Sequence, residues 1–324
     1  EVSVGSSLAN YQVFYRFFGT ASHAAACPEL GRSALDAVEL MNTGVQYLRE
    51  HAIQEARIHY AITNTGGYSP NVVQPYAEVL YLIRAPKNKQ VEEIYRRVNK
   101  IAEGAAHMTE TRVEIDFVKG CSNLVSNKVI AKKLWENLTE LGAPEYTKEE
   151  MELAQAIHDS VGESCYESIE KVAKTCDKET KKEVLAHRGE AMYRFVAPFD
   201  PVGIMSFGST DVGDVSWLCP TAQCSVASIP NGCPGHSWQN VSCDRTSIGH
   251  KAAVHAGKLL YRNRVTHDIK PGAAILVRIR KSHPPALTQF TDRLLREFIV
   301  LIHQESLRSD FFLRELANLR PQCF

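Results

Sequence analysis

Between Tyr11 and Lys119 the apolar residues change period repeatedly, from alternation to a helical stripe and back, and few folds accept that order. "YQVFYRFF" (Tyr11 to Phe18) is aromatic and β-branched, as a strand requires. Ser33 and Asp36 then make a capping-box-like start, and Ala34, Val38, Met41, Val45 and Leu48 form one helical stripe. "IHYAIT" (Ile58 to Thr63) alternates as a second strand, Gly66 to Pro70 breaks it, and "AEVLYLIR" (Ala77 to Arg84) makes a third. Val91, Ile94, Val98, Ile101 and Ala105 mark a second amphipathic helix. "RVEIDFV" closes the series, with Val113, Ile115 and Phe117 expected inward and Arg112, Glu114 and Asp116 outward. The order β-α-β-β-α-β predicts a ferredoxin-like sandwich with both helices on one face of the sheet.

The remaining residues read as a second body. "NKVIAKKLWENLTELG" and "KEEMELAQAIHDSV" predict two surface helices, and "SIGHKAAVHAGKLL" (Ser247 to Leu260) a third. Glu167 to Arg188 is rich in lysine and glutamate with few large apolar residues, which predicts an exposed helix or a mobile excursion. The stretch from Val265 is basic and less regular, although "FTDRLLREFIVLIHQ" has helical character. At 324 residues the chain has room for two cores.

Charge and cysteine content narrow the function classes. The formal net charge is zero, so no global field draws the chain to nucleic acid or to an anionic membrane. No apolar run is long enough to span a bilayer. Nine cysteines at irregular spacing, with no C-x-x-C among Cys219, Cys224, Cys233 and Cys243, read as free thiols of a reducing compartment, hence a cytoplasmic location. The first residue is Glu1 rather than methionine, which leaves the matter of a leader open.

Several residues carry polar chemistry in turn contexts. His236 sits in "GCPGHSWQNVS", where flanking glycine and proline let an imidazole project; alone it cannot make a catalytic zinc site, which takes three protein ligands. Asp211 and Asp214 in "STDVGDVS" are read two ways, as pocket carboxylates or as loop and helix caps. His51, His59, His107, His158, His187, His250 and His255 are read as structural.

Four stretches together carry a resemblance: "FFGTASHAAACPELGRSALDAVELMN", "ITNTGGYSPNVVQPYAEVLYLIRAP", "GSTDVGDVSW" and "PGHSWQNVS". In order and spacing, from about Ser7 to about Leu260, they resemble the metal-dependent amidohydrolase family of aminoacylases and aminobenzoyl-glutamate hydrolases. The resemblance implies an α/β architecture in which a ferredoxin-like lid and dimerisation domain is inserted into a zinc-peptidase-like catalytic domain. Residues 1–10 would end a first catalytic segment, 11–119 form the lid, 120–264 the second half of the catalytic domain, and 265–324 a divergent tail. The family's first catalytic segment, with a Cys-Gly-His ligand pair, a Glu-Glu pair and a further histidine, is not found, so the chain is expected to be a fragment and inactive alone.

What the resemblance implies for residues follows position by position. His23 in "SHAA" matches the lid histidine that reaches the partner's site as an oxyanion donor. Asn71 and Arg84 match lid positions that bind the substrate's carboxylate, and Asp211 lies in a loop bordering the pocket. His236 matches the last metal ligand, although Gly235 stands where relatives carry a larger apolar residue, which predicts a looser turn. The intact enzyme would bind two zinc or manganese ions and hydrolyse an N-acyl amino acid such as aminobenzoyl-glutamate. It would act as a homodimer through the lid, with a second subunit as a further partner, and without nucleic acid or membrane. The rival reading is a non-catalytic dimerisation or regulatory module. RNA binding ranks last: Tyr11, Tyr15, Val79 and Tyr81 would offer a stacking face, but a basic patch is lacking.

Overall fold

The structure, a computed structural model, describes residues 1–174, 176–267 and 274–277. In chain order it opens with the short strands β1 (Val2–Ser3) and β2 (Ser6–Ser7) and the long strand β3 (Ala9–Phe18). Helix α1 (Ala34–Glu50), strands β4 (Arg57–Asn64) and β5 (Tyr76–Ala85), helix α2 (Asn88–Met108) and strand β6 (Arg112–Cys121) follow. Then come α3 (Lys128–Leu141), α4 (Lys148–Asp159), α5 (Ser164–Ala173), α6 (Lys178–Ala186), β7 (Met205–Ser206) and α7 (Val212–Leu218). Strand β8 (Thr221–Cys224), helices α8 (Trp238–Asp244) and α9 (Ser247–His267) and strand β9 (Ala274–Val277) complete the order. The chain divides into two compact units, one made of Gly5–Ser126 with Gly203–Leu218, the other of Glu1–Val4, Asn127–Val202 and Cys219–Phe324.

In the first unit, β4-β5-β3-β6 form one antiparallel sheet, the strand order of a ferredoxin-like fold. Alternation sets its two faces. Val13, Tyr15 and Phe17 of β3 and Val79, Tyr81 and Ile83 of β5 are fully buried under α1 and α2. Each predicted stripe residue of α1 is in that core, and Ser33 caps the helix by accepting from the Asp36 N–H at 3.1 Å. The predicted α2 stripe is buried except Ile101, which is half-buried and packs against Gly44 of α1. A Cβ at Gly44 would stand 2.7 Å from Ile101 Cγ2, so the helices approach where that side chain is missing.

Three expectations are corrected here. Phe117 is 46% exposed instead of inward. The register of β3 against β6 slips between Gln12 and Val13, and the Phe117 ring lies at the sheet edge, packed edge-on against Tyr11 at 5.0 Å. Strand β4 is present, but only Ile58 is buried, while Tyr60 and Ile62 are each 41% exposed. It is an edge strand, and the helices cover β3 and β5 instead. The suggested stacking face does not exist: Tyr15, Val79 and Tyr81 lie under the helices. There the phenols donate to Asn99 Oδ1 at 2.7 Å and Asn42 Oδ1 at 2.5 Å.

The second unit has several smaller cores. β1 pairs antiparallel with β8, β8 pairs parallel with β9, and α3 covers them through Ala131, Leu134 and Leu138. Of the two readings of the lysine- and glutamate-rich stretch, exposed helix and mobile excursion, the structure has the first. The stretch folds as α5 and α6, closed over a small core of Cys165, Ile169, Ala173 and Val184. The predicted helix "FTDRLLREFIVLIHQ" lies outside the described residues. Among the described residues no helix is long and apolar enough to cross a membrane.

Candidate functional site

The histidine and asparagine singled out from the sequence come together. The loop after β3 and the loop before β5 are zipped by backbone bonds: Ala24 N–H to Asn71 O at 2.9 Å, Val73 N–H to Ser22 O at 3.0 Å, and a bridge between His23 and Val72. His23 and Asn71 are therefore neighbours at one end of the sheet, and both are exposed. His23 Nδ1 accepts from the N–H groups of Ala25 at 3.2 Å and Ala26 at 3.1 Å. A nitrogen that accepts carries no proton, so the neutral ring keeps its hydrogen on Nε2, away from the turn. The loop thus presents an imidazole N–H donor.

Arg84 stands at the other end. It lies eight positions along β5 from Tyr76, about 26 Å at the usual rise of a strand. Its Nη1 donates to Phe207 O at 3.4 Å and Ser209 Oγ at 3.3 Å, both in the segment between β7 and α7, while Nε is buried and has no acceptor among the described residues. An unpaired guanidinium donor out of water is costly, and a carboxylate would satisfy it.

The same segment holds Asp211 and Asp214, and the structure separates their roles. Asp214 Oδ1 accepts from the Ser122 N–H at 2.8 Å, and a Cβ on the adjacent Gly213 would lie 1.9 Å from Ser122 O. Glycine and aspartate there pin α7 to the end of β6. Asp211 is exposed, its carbonyl taken by the Asp214 N–H at 3.0 Å and its Oδ1 by the Thr210 hydroxyl at 3.4 Å. Near both, burial pushes the Cys121 thiol above its usual range, and Asp214 adds to the rise.

In the second unit, His236 has φ 61°, the left-handed region that a non-glycine residue adopts at a cost of about 1–2 kcal/mol. The loop is held at both ends. Asn231 donates to Glu190 O at 2.8 Å and accepts from the Cys165 thiol at 3.0 Å. Ser237 caps α8 through the Asn240 N–H at 3.3 Å. Nothing lies within 4 Å of a Cβ built on Gly235, and the His236 ring is exposed. Burial pushes the nearby Cys233 thiol up to about 11, so it stays protonated near neutral pH.

Comparison with known proteins gives this geometry its context. Residues 7–110 match the peptidase dimerisation domain of the M20 family. Across 267 residues the chain is 49% identical to one of the subunits of p-aminobenzoyl-glutamate hydrolase from Escherichia coli strain K12, covering 82% of this chain and 56% of that protein. The chain thus contains a dimerisation domain of the M20 peptidase type. An Xaa-Arg dipeptidase of Mus musculus is 34% identical over 136 residues, 42% of this chain and 31% of the dipeptidase. The crystal structure of an aminobenzoyl-glutamate utilization protein from Klebsiella pneumoniae aligns at 22% identity and a TM-score of 0.38, covering 43% of this chain and 36% of that one. This chain thus spans little more than half the length of the first curated relative.

M20 peptidases are generally metal-dependent. The donor set here does not by itself fit a metal centre: among the described residues no three His, Cys, Asp or Glu side chains are grouped to hold an ion. His236 is a single candidate ligand. Two residues near Arg84 are not read as site residues from the sequence: Arg57 is not singled out and His59 is read as structural, because only the register of β4 on β5 brings them to it.

Proposed function

We propose that this chain is part of a metal-dependent amidohydrolase that cleaves the amide bond of an N-acyl amino acid such as aminobenzoyl-glutamate. Residues 11–119 would serve as its lid and dimerisation domain, and 120–264 as part of its catalytic domain. The observation that carries this reading is His23: its own turn takes Nδ1 and leaves Nε2–H, the form an oxyanion donor needs. Asn71 beside it and Arg84 with its open donors would hold the substrate's carboxylate, Asp211 would border the pocket, and His236 would be one ligand of a pair of zinc or manganese ions. The name of the 49% identical relative supports the substrate class.

The separation of Arg84 from the His23–Asn71 loop supports a composite site. One ligand cannot span both ends of β5 within a single copy, so Arg84 of one copy would work with His23 and Asn71 of another, in a cytoplasmic homodimer or alongside a second type of subunit. The rival reading, a dimerisation module without catalysis, draws support from the match of residues 7–110 to a peptidase dimerisation domain.

Purified chain given zinc or manganese and p-aminobenzoyl-glutamate is expected to elute as a dimer and to show no appreciable turnover alone. Zinc-dependent turnover by a monomer would overturn the composite site. The upstream coding sequence separates the two readings: Cys-Gly-His, Glu-Glu and Trp-His-Pro motifs uphold the enzyme, and their lack upholds the module.

A further inference from the structure

The sheet face turned away from α1 and α2 carries two arginines directly opposite one another, Arg57 on β4 and Arg84 on β5. Both alternate with buried neighbours, Ile58 in one case and Ile83 and Ala85 in the other, so both side chains leave by the open face. Cross-strand partners bring their Cβ atoms within about 5 Å, and like charges there are destabilising. The same face shows what compensation looks like. Arg16, near the end of β3, is paired with Glu78 at 2.7 Å and Asp116 at 2.8 Å. Among the described residues, neither Arg57 nor Arg84 has an ion pair.

The two guanidiniums are nonetheless held in place. Phe207 touches both: its ring lies 5.5 Å from the Arg57 guanidinium carbon, and its carbonyl accepts from Arg84 Nη1. Arg57 spends Nη1 on the carbonyls of Gln54 and Ala56, at 2.7 and 2.8 Å, and Arg84 keeps a buried, unsatisfied Nε. On each guanidinium only Nη1 is used by the protein, so both keep donors without an acceptor among the described residues. His59, on the same face, reports the local field: burial and the charges of Arg84, Arg49 and Arg57 hold its pKa down.

We propose that Arg57 and Arg84 together read two carboxylates of one ligand, so that the site prefers an amino acid bearing a side-chain carboxylate, of the glutamate class, over its neutral amide counterpart. Arg57 is then a specificity-determining residue. This rests on the reading of Arg84 as the holder of the ligand's main carboxylate; Arg57 adds the second contact. A single carboxylate engages one fork, and leaves the opposite cation uncompensated.

The test is binding of N-acetyl-glutamate and N-acetyl-glutamine to the full chain, followed by NMR shifts at low salt. The native chain is expected to prefer N-acetyl-glutamate by about tenfold, the scale of one charge-assisted contact, and to lose that preference as salt is raised. Arg57→Gln should remove the preference and leave N-acetyl-glutamine binding unchanged, while Arg57→Lys retains part of it. Arg84→Gln should weaken both ligands. If Arg57→Gln affects both ligands equally or neither, while Arg84→Gln weakens both, the inference fails and the Arg84 reading stands. If Arg84→Gln changes neither, or the native chain binds neither ligand, both fail. Should Arg57→Gln not fold, as its melting curve will reveal, the native chain decides: a preference indifferent to salt overturns the proposal.

Discussion

Asp214 Oδ1 accepts a 2.8 Å hydrogen bond from the backbone N–H of Ser122, and this bond joins the end of β6 to the first turn of α7. The Ser216 hydroxyl adds a second tie by accepting from the Val125 N–H at 2.9 Å. Asp214→Ala should cost about 1 kcal/mol, the worth of a typical bond plus an amide left unpaired, whereas Asp214→Asn keeps an acceptor and should cost less. Urea unfolding checks this. If alanine and asparagine are equally mild, Asp214 is not a structural tether and its carboxylate is free for the pocket.

The approach of α1 to α2 at Gly44 gives a second prediction. Alanine is the better helix former by about 1 kcal/mol, and in an open helix Gly44→Ala would stabilise. Here the new methyl would press on Ile101 Cγ2, which is fixed to a β-branched carbon and cannot swing aside. Gly44→Ala should therefore destabilise by about 1 kcal/mol net, and Ile101→Leu in the same chain should recover most of the loss. Simple additivity of the two changes would show that the helices do not meet there.

These contacts mark what the sequence could disclose. Periodicity located β3, α1, β5 and α2, because each buries one face and its spacing records that face. It overstated β4 and Phe117, since edge position depends on sheet order, which one strand's pattern does not encode. For α5 and α6 it left exposed helix and excursion open, because their core draws on Val161, Tyr193 and Phe195 outside the stretch as well as on Ile169, Ala173 and Val184 within it. Among site residues, the turn chemistry around His23 and His236 was visible locally. The opposition of Arg57 and Arg84 was not, because it arises from the register of two strands.

His23 gives a third prediction, about protons. Two backbone N–H donors at Nδ1 require the Nε2–H tautomer. Nitrogen NMR on histidine-labelled chain should show Nε2 protonated and Nδ1 pyridine-like for this ring in its neutral form. The opposite tautomer would mean the turn does not hold the ring, and the oxyanion-donor role would lose its support. His23→Ala should leave thermal stability within about 0.5 kcal/mol, as expected of an exposed side chain.

Glu150 provides the pH dependence. It lies buried at the start of α4, where Oε2 accepts from the Thr147 N–H and from Lys251 Nζ, each at 2.7 Å. Burial alone would push its carboxyl up, but the hydrogen bonds from Lys251, Ser247 and the Thr147 N–H outweigh it and hold the carboxyl below the usual range. The folded state therefore binds this proton more weakly than the unfolded chain does. Its contribution is fully present above the unfolded carboxylate pKa of about 4.3 and is lost as pH falls through the lower folded value. Glu150→Gln should flatten the acid limb of stability against pH, with unfolding followed by circular dichroism. Lys251→Met should cost on the order of 2 kcal/mol at neutral pH, because it strands a buried carboxylate, and less in acid where that group protonates. An acid limb unchanged in both variants would show that the Glu150–Lys251 pair does not form.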